Sequence, residues 1–218
     1  MNVSSIMDSV PVHLEKDESK PLISRIIETC RRVYGEEGDL TASKVAGIRE
    51  LMKGVTKSDL GLNTVSKITE IEYVSVAEEP TFHIAIFLMP KGKRLPLHDH
   101  PRMCVLSKVV FGSLTINSYD RLNYDTIDFK APFPCRPLLT EMEVAGSDPS
   151  LTLFPTGGGN LHELEALTDC AILDILAPPY DFDRGRPCNY YRPVPPPSSK
   201  HAPVPGGAAA ANGPGVHA

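Results

Sequence analysis

The sequence predicts a mainly β protein, a barrel or sandwich with two helices ahead of it packed on its exterior. Three observations carry this. Apolar residues recur at three- and four-residue steps between residues 21 and 53, the period falls to two from about Glu70, and the later apolar runs are short and punctuated by glycine and proline. Many short strands of that kind close into two-layer or barrel architectures.

The elements follow in order. Residues 1–20 are polar and charged and are expected to form a flexible extension. Pro21-Leu22-Ile23 opens the first helix, in which Ile23, Ile26, Ile27, Cys30 and Val33 fall on one face. The second helix takes Thr41 or Ser43 as N-cap and Val45, Ile48 and Met52 as its apolar stripe. Helices this short are marginal alone, so both are expected to pack on the barrel. Thr81 to Met89 and Cys170 to Leu176 read as buried strands, while Leu114, Ile116 and Ser118 alternate with Thr115, Asn117 and Tyr119. After Tyr191 the composition turns to proline, glycine and alanine. Residues 21–192 are therefore expected to form the domain and residues 193–218 a disordered tail.

Composition excludes several function classes. With 218 residues the chain suits one β-barrel domain plus extensions, and 41% hydrophobic residues suffice for a core. A formal net charge of -5 argues against a nucleic-acid partner, because phosphate binding needs a basic face. No apolar run approaches the roughly 20 residues of a membrane span, so no membrane role is expected. Met1-Asn2-Val3-Ser4-Ser5 lacks the basic and apolar blocks of a signal peptide. Five cysteines at irregular spacings, with no Cys-x-x-Cys, suit reduced thiols in the cytoplasm or nucleus.

His98-Asp99-His100 is the main functional signal. Histidines at i and i+2 on a strand project from one face, so their imidazoles can meet on one metal while Asp99 points aside. His162, after Pro155-Thr156-Gly157-Gly158-Gly159-Asn160-Leu161, can be delivered by that turn as a third ligand. Three imidazoles on one side of a metal leave positions open to exogenous ligands, as in enzymes, whereas structural sites fill every position.

The flanks of these histidines resemble the motifs of cupin barrels. Gly92, five residues, His98-x-His100 and then Gly112 is similar to the first motif, and Gly159-x-x-His162 to the second. The glutamate usual in the first motif is absent: Val105 takes its place, and no carboxylate occurs from Pro101 to Gly112. A three-histidine cupin without it resembles the thiol dioxygenases, and within them the cysteamine (2-aminoethanethiol) dioxygenase and plant cysteine oxidase family. The residues that carry this are Pro96-Leu97-His98-Asp99-His100-Pro101, Met103, Ser107-Lys108-Val109-Val110-Phe111-Gly112-Ser113, Gly159-Asn160-Leu161-His162, Leu173-Asp174-Ile175-Leu176-Ala177-Pro178-Pro179-Tyr180 and Gly185-Arg186-x-Cys188-x-Tyr190-Tyr191. The resemblance runs from about residue 20 to residue 192. Arg102 departs from it, standing where relatives usually carry glycine; if that position needs positive φ, arginine is strained there.

The resemblance implies a jelly-roll-like double-stranded β-helix and an Fe(II) ion held by His98, His100 and His162. It implies that O2 oxidises the thiol of cysteamine, or of an N-terminal cysteine of a peptide or protein, to the sulfinic acid. It implies further an oxygen-sensing role in N-terminal degradation signalling. The chain is expected to act as a monomer. Asp174 is a carboxylate in an apolar strand, rarely buried there without a partner or a purpose. The resemblance implies that it lies near the metal and supports substrate or a ligand histidine, the alternative being that it orients a loop or pairs with a lysine. Tyr180 on its proline-stiffened turn is expected either to overhang the cavity or to pack at its rim. Cys188 and Tyr190, at i and i+2, face the same way on an extended segment. In part of the family the equivalent pair joins as a thioether; the alternative is a buried cysteine beside a core tyrosine. Cys30, Cys104 and Cys170 read as core residues, and His83 as a satisfied histidine outside the ligand set. The competing readings are a zinc-dependent cupin hydrolase or isomerase and a cupin that binds a ligand without turnover.

Overall fold

The computed structural model describes residues 19–36, 38–65, 67–123, 132–146, 148 and 150–194, together with the backbone of 207–210. The expected flexible segment 1–20 lies almost wholly outside these residues.

Helices α1 (Leu22–Gly35) and α2 (Ala42–Lys53) come first. Thr41 is the N-cap of α2, its hydroxyl accepting from the N–H of Lys44, and the buried stripe is Val45, Ile48 and Met52. In α1 the buried set is Ile26, Thr29, Cys30, Val33 and Tyr34, with Ile23 and Ile27 partly buried at its margin.

Strands β1 (Glu72–Glu79), β2 (Phe82–Met89), β3 (Arg94–His98), β4 (Cys104–Phe111), β5 (Ser113–Arg121) and β6 (Phe133–Ala145) follow. Then come β7 (Leu151–Leu153), β8 (Leu161–Ala166), β9 (Cys170–Ala177), β10 (Tyr191–Val194) and β11 (Gly207–Ala210). They form two antiparallel sheets, ordered β1-β2-β9-β4-β7 and β10-β11-β6-β5-β8-β3. This is the cupin double-stranded β-helix.

The helices cover the outer face of the five-stranded sheet. Ile26, Cys30, Val45, Ile48 and Met52 share one buried cluster with Ile84, Ile86, Leu173 and Ile175. Each such side chain, taken fully out of water, stabilises the fold by roughly 1.5–3 kcal/mol. The other face of β9 points into the barrel: Cys170 and Ile172 pack with Leu114, Ile116 and Leu164 of the opposite sheet, and Leu176 with Met103 and Val105. Being covered on both faces, β9 reads as an unbroken apolar run rather than an alternating one. Asp174, two residues from both Ile172 and Leu176, shares their interior face.

Two stretches within the expected tail carry backbone pairing. Residues 193 and 194 belong to β10, and the backbone of Gly207–Ala210 pairs antiparallel with β10 on one side and β6 on the other. Exposed strand edges demand backbone partners, and a glycine-alanine segment can supply N–H and C=O groups without any apolar pattern. Periodicity registers only side chains, so this strand was invisible to it. Residues 195–206 and 211–218 lie outside the described residues.

Candidate metal centre

His98 reaches the barrel interior through an irregularity in its strand. Leu95 pairs with Leu164 and His98 with His162, three steps on β3 against two on β8. That extra residue is a β-bulge. It reverses the alternation, so His98 joins Leu95 on the interior face instead of pointing outward. His162 needs no such device: Ser118, Ile116 and Leu114 of β5 pair in register with His162, Leu164 and Ala166.

The expectation that both His98 and His100 lie on one strand is corrected. β3 ends at His98, and His100 lies in the turn beyond it. It is held there by Asn160, whose Oδ1 accepts from the His100 N–H at 3.0 Å while its Nδ2 donates to the His100 carbonyl at 3.0 Å. The same amide donates to the Phe154 carbonyl at 3.0 Å. Asn160 thus locks the segment bearing His100 to the segment bearing His162.

The glycine-rich turn is built for that approach. Gly158 and Gly159 both have φ of 80°, and a Cβ on Gly159 would lie 2.6 Å from Ser118 Oγ. No other residue fits without displacing one of these groups.

The three imidazoles converge through their Nε2 atoms. His162 Nε2 lies 3.2 Å from His100 Nε2 and 3.2 Å from His98 Nε2. A metal bonded at about 2.1 Å to two nitrogens at angles of about 90–110° spaces them by roughly 3.0–3.4 Å, so the cluster fits a metal ion. Among the described residues it is the one group of three or more such donors gathered this closely, and it contains no carboxylate. Burial lowers the pKa of all three; in His100 and His162 the neighbouring imidazoles lower it further, well below the ordinary value. Neutral imidazoles with free lone pairs are the form a metal requires.

Two of the three are oriented from behind. His98 Nδ1 lies 2.7 Å from the Pro96 carbonyl. His100 Nδ1 lies 2.8 Å from the Tyr180 hydroxyl, which donates to the Asp99 carbonyl at 2.7 Å. Tyr180 therefore sits against an imidazole of the cluster.

Cys188 and Tyr190 do come together. The Cys188 thiol lies beside the hydroxyls of Tyr180 and Tyr190, and the Tyr190 ring centroid stands 6.3 Å from that of His98. Burial pushes the thiol up, while the neighbouring phenols oppose that. Asp174 is buried, bonded to Ser107 on the neighbouring strand, and its Oδ1 has no partner among the described residues. Burial pushes its carboxyl up to about 6. His83 stays outside the cluster, bonded to Tyr73 and Ser75. Cys30, Cys104, Cys135 and Cys170 are buried, and Cys188 is half-buried.

Arg102 does adopt the strained conformation, with φ of 59°. Its guanidinium donates to the carbonyls of Arg184 at 2.6 Å and Gly185 at 3.0 Å. Those bonds tie the loop that follows His100 to the turn between Tyr180 and Cys188 and offset part of the strain, about 1–2 kcal/mol for a left-handed residue.

Sequence reasoning missed Asn160, Tyr191 and Asn189, and gave Asp99 no role beyond pointing aside. Asn160 could have been suspected from its place between the glycines and His162. Nothing local marks the other two.

Fold and site together define a cupin with a three-histidine cluster fit for a metal. The chain belongs to the PCO_ADO family, whose model matches residues 42–212. It is 30% identical to plant cysteine oxidase 1 of Arabidopsis thaliana over 195 residues, 79% of this chain and 64% of that protein. It is 34% identical to 2-aminoethanethiol dioxygenase of Mus musculus over 220 residues, covering 87% of this chain and 86% of that one. The chain thus spans slightly under two thirds of the plant relative's length. A solved rmlc-like cupin protein from Desulfovibrio desulfuricans is similar over 54% of this chain and 94% of its own, with 18% identity and a TM-score of 0.32. No helix among the described residues is long and apolar enough to cross a membrane.

Proposed function

We propose that this chain is an Fe(II)-dependent thiol dioxygenase. It uses O2 to oxidise the thiol of an N-terminal cysteine, or of cysteamine, to the sulfinic acid. The observation that carries the proposal is the donor set: three neutral imidazoles and no carboxylate, in a chain of the PCO_ADO family. A bound iron would supply adjacent open positions at which thiolate sulfur and O2 are brought together, with no anionic protein ligand competing with the thiolate for charge. The balance is RSH plus O2 giving RSO2H. Sulfur gives up four electrons, O2 takes them, and both oxygen atoms end on sulfur.

The protein's own residues hold the pieces. Pro96 and Tyr180 fix the His98 and His100 rings. Asp174 faces the interior from the opposite sheet with one oxygen unpartnered. It suits an ammonium group, and both substrates carry an amine two carbons from the thiol. Apolar Met103, Val105, Leu153 and Leu176 line that part of the interior and exclude water from it. Tyr190 and Cys188 close the site from the C-terminal side.

An oxygen-sensing role in N-terminal degradation signalling follows from such a reaction, because it converts oxygen availability into a mark on a protein end. Five free cysteines suit a reducing compartment, the cytoplasm or nucleus. Anaerobic reconstitution with Fe(II) or Zn(II), followed by O2 uptake with cysteamine and with a Cys-initiated peptide, tests the proposal. Uptake dependent on both iron and thiol supports it. Iron-independent hydrolysis, or tight metal binding with no uptake for either thiol, overturns it.

A further inference from the structure

Asp99 separates two ligand histidines by one residue, yet every contact of its carboxylate points away from them. Its Oδ1 accepts from the Asn189 N–H at 3.0 Å and from Asn189 Nδ2 at 3.2 Å. Its Oδ2 accepts from Asn189 Nδ2 at 3.3 Å and from the Tyr191 hydroxyl at 2.7 Å. The Asp99 N–H donates to the Asn189 carbonyl at 3.2 Å, and the Asp99 carbonyl accepts from Tyr180 at 2.7 Å. These contacts run to the two neighbours of Tyr190 and to Tyr180, so they bracket the side chains that close the metal centre. The backbone bridge between His98 and Tyr190 lies beside them.

The arrangement is costly unless it serves something. A partly buried carboxylate with neutral donors and no cation gives up hydration that only well-made hydrogen bonds restore. Here all of the donors belong to one short segment. That segment otherwise enters β10 from a turn and has no apolar side chain of its own between Arg186 and Tyr190 except Pro187 and Cys188. Tyr191 anchors the far end of the segment by packing with Leu97, Phe133 and Leu161, and the Asp99 bonds hold the stretch ahead of it that carries Cys188 and Asn189.

We propose that Asp99 is a positioning residue, a strut that sets Cys188, Tyr190 and Tyr180 against the three-histidine centre. This rests on that centre being the reaction site, but the strut itself is testable without turnover. The position of the segment is read by Cys188, the half-buried cysteine, while the four buried cysteines report unfolding.

The experiment is the rate of iodoacetamide labelling of each cysteine in the full-length, metal-free chain, followed by peptide mass spectrometry. Asp99→Ala should raise Cys188 labelling about tenfold or more with the other four still protected. Asp99→Asn should stay within about threefold of the parent, since its amide keeps one acceptor for Asn189 and can donate to Tyr191. In reconstituted protein, Asp99→Ala should keep its iron, raise the KM for thiol, and lose more in kcat/KM than Asp99→Asn. Parental Cys188 labelling in Asp99→Ala with the other cysteines protected would overturn the proposal. If Asp99→Ala exposes all five, Tyr191→Phe decides: a rise of about threefold at Cys188 alone supports the strut, and a parental rate overturns it. Failure of the thiol dioxygenase reading would leave the labelling result unchanged.

Discussion

The Tyr180 hydroxyl lies 2.8 Å from His100 Nδ1, and the two rings stack with centroids 5.4 Å apart and planes 27° from parallel. Because the phenol donates its own proton to the Asp99 carbonyl, it is left as an acceptor toward the imidazole. His100 must then carry its proton on Nδ1, which frees the Nε2 lone pair that faces His98 and His162. One phenol therefore selects both the tautomer and the orientation of an imidazole in the cluster.

Removing that acceptor should be felt at the metal before it is felt in the fold. Tyr180→Phe keeps the ring stack and loses the hydrogen bond, so metal affinity should fall by about 10–100-fold. Competition against a chelator measures it, with thermal unfolding as control. Unchanged affinity would show that the phenol is only packing.

Gly159 tests the geometry of the turn. Gly159→Ala places a methyl 2.6 Å from Ser118 Oγ at a φ of 80°. Strain and overlap together should cost about 2–4 kcal/mol and displace Asn160 and His162. Denaturant unfolding and metal content should both drop; a parental midpoint would mean the turn is slack.

Asp174 should trade stability for function. Its folded-state carboxyl is raised to about 6, above the ordinary 3.8. The charged form is therefore unfavourable in the fold: stability is fully present below pH ~4 and lost as pH rises through ~6. Asp174→Asn should consequently be the more stable protein at pH 8, by up to about 3 kcal/mol, with the gap closing towards pH 4. Iron should stay bound while turnover falls by about tenfold or more, as expected where a buried group must meet the substrate amine. Wild-type turnover in this variant would remove Asp174 from the site.

Much of this molecule was legible in the sequence, for identifiable reasons. Val45, Ile48 and Met52 announce α2 because helical burial follows a 3.6-residue period, and Leu114, Ile116 and Ser118 announce β5 because strand burial follows a period of two. The histidines stand out by side-chain chemistry alone. The bulge that turns His98 inward was hidden, because it is a mismatch between β3 and β8 and belongs to neither strand separately. Asp99 was hidden for the same kind of reason: its partners Asn189 and Tyr191 lie some ninety positions away. Arg102 marks the limit from the other side. Its strain could be anticipated, but the carbonyls of Arg184 and Gly185 that hold it could not.

An oxygen-sensing role makes a kinetic demand. The rate must vary across working oxygen levels, so the apparent KM for O2 must lie at or above them. With a Cys-initiated peptide, steady-state turnover should still be rising near air saturation. Saturation at a few per cent of atmospheric oxygen would leave thiol catabolism without sensing.

The most direct test of the central claim is the fate of isotopic oxygen. Iron-reconstituted protein is given a Cys-initiated peptide or cysteamine under 18O2 in ordinary water, and the product is weighed by mass spectrometry. A dioxygenase should place two labelled oxygen atoms on the sulfur of each turned-over thiol and lose that incorporation in His162→Ala. Disulfide or unlabelled sulfinic acid as the main product, or full labelling in His162→Ala, would contradict the account.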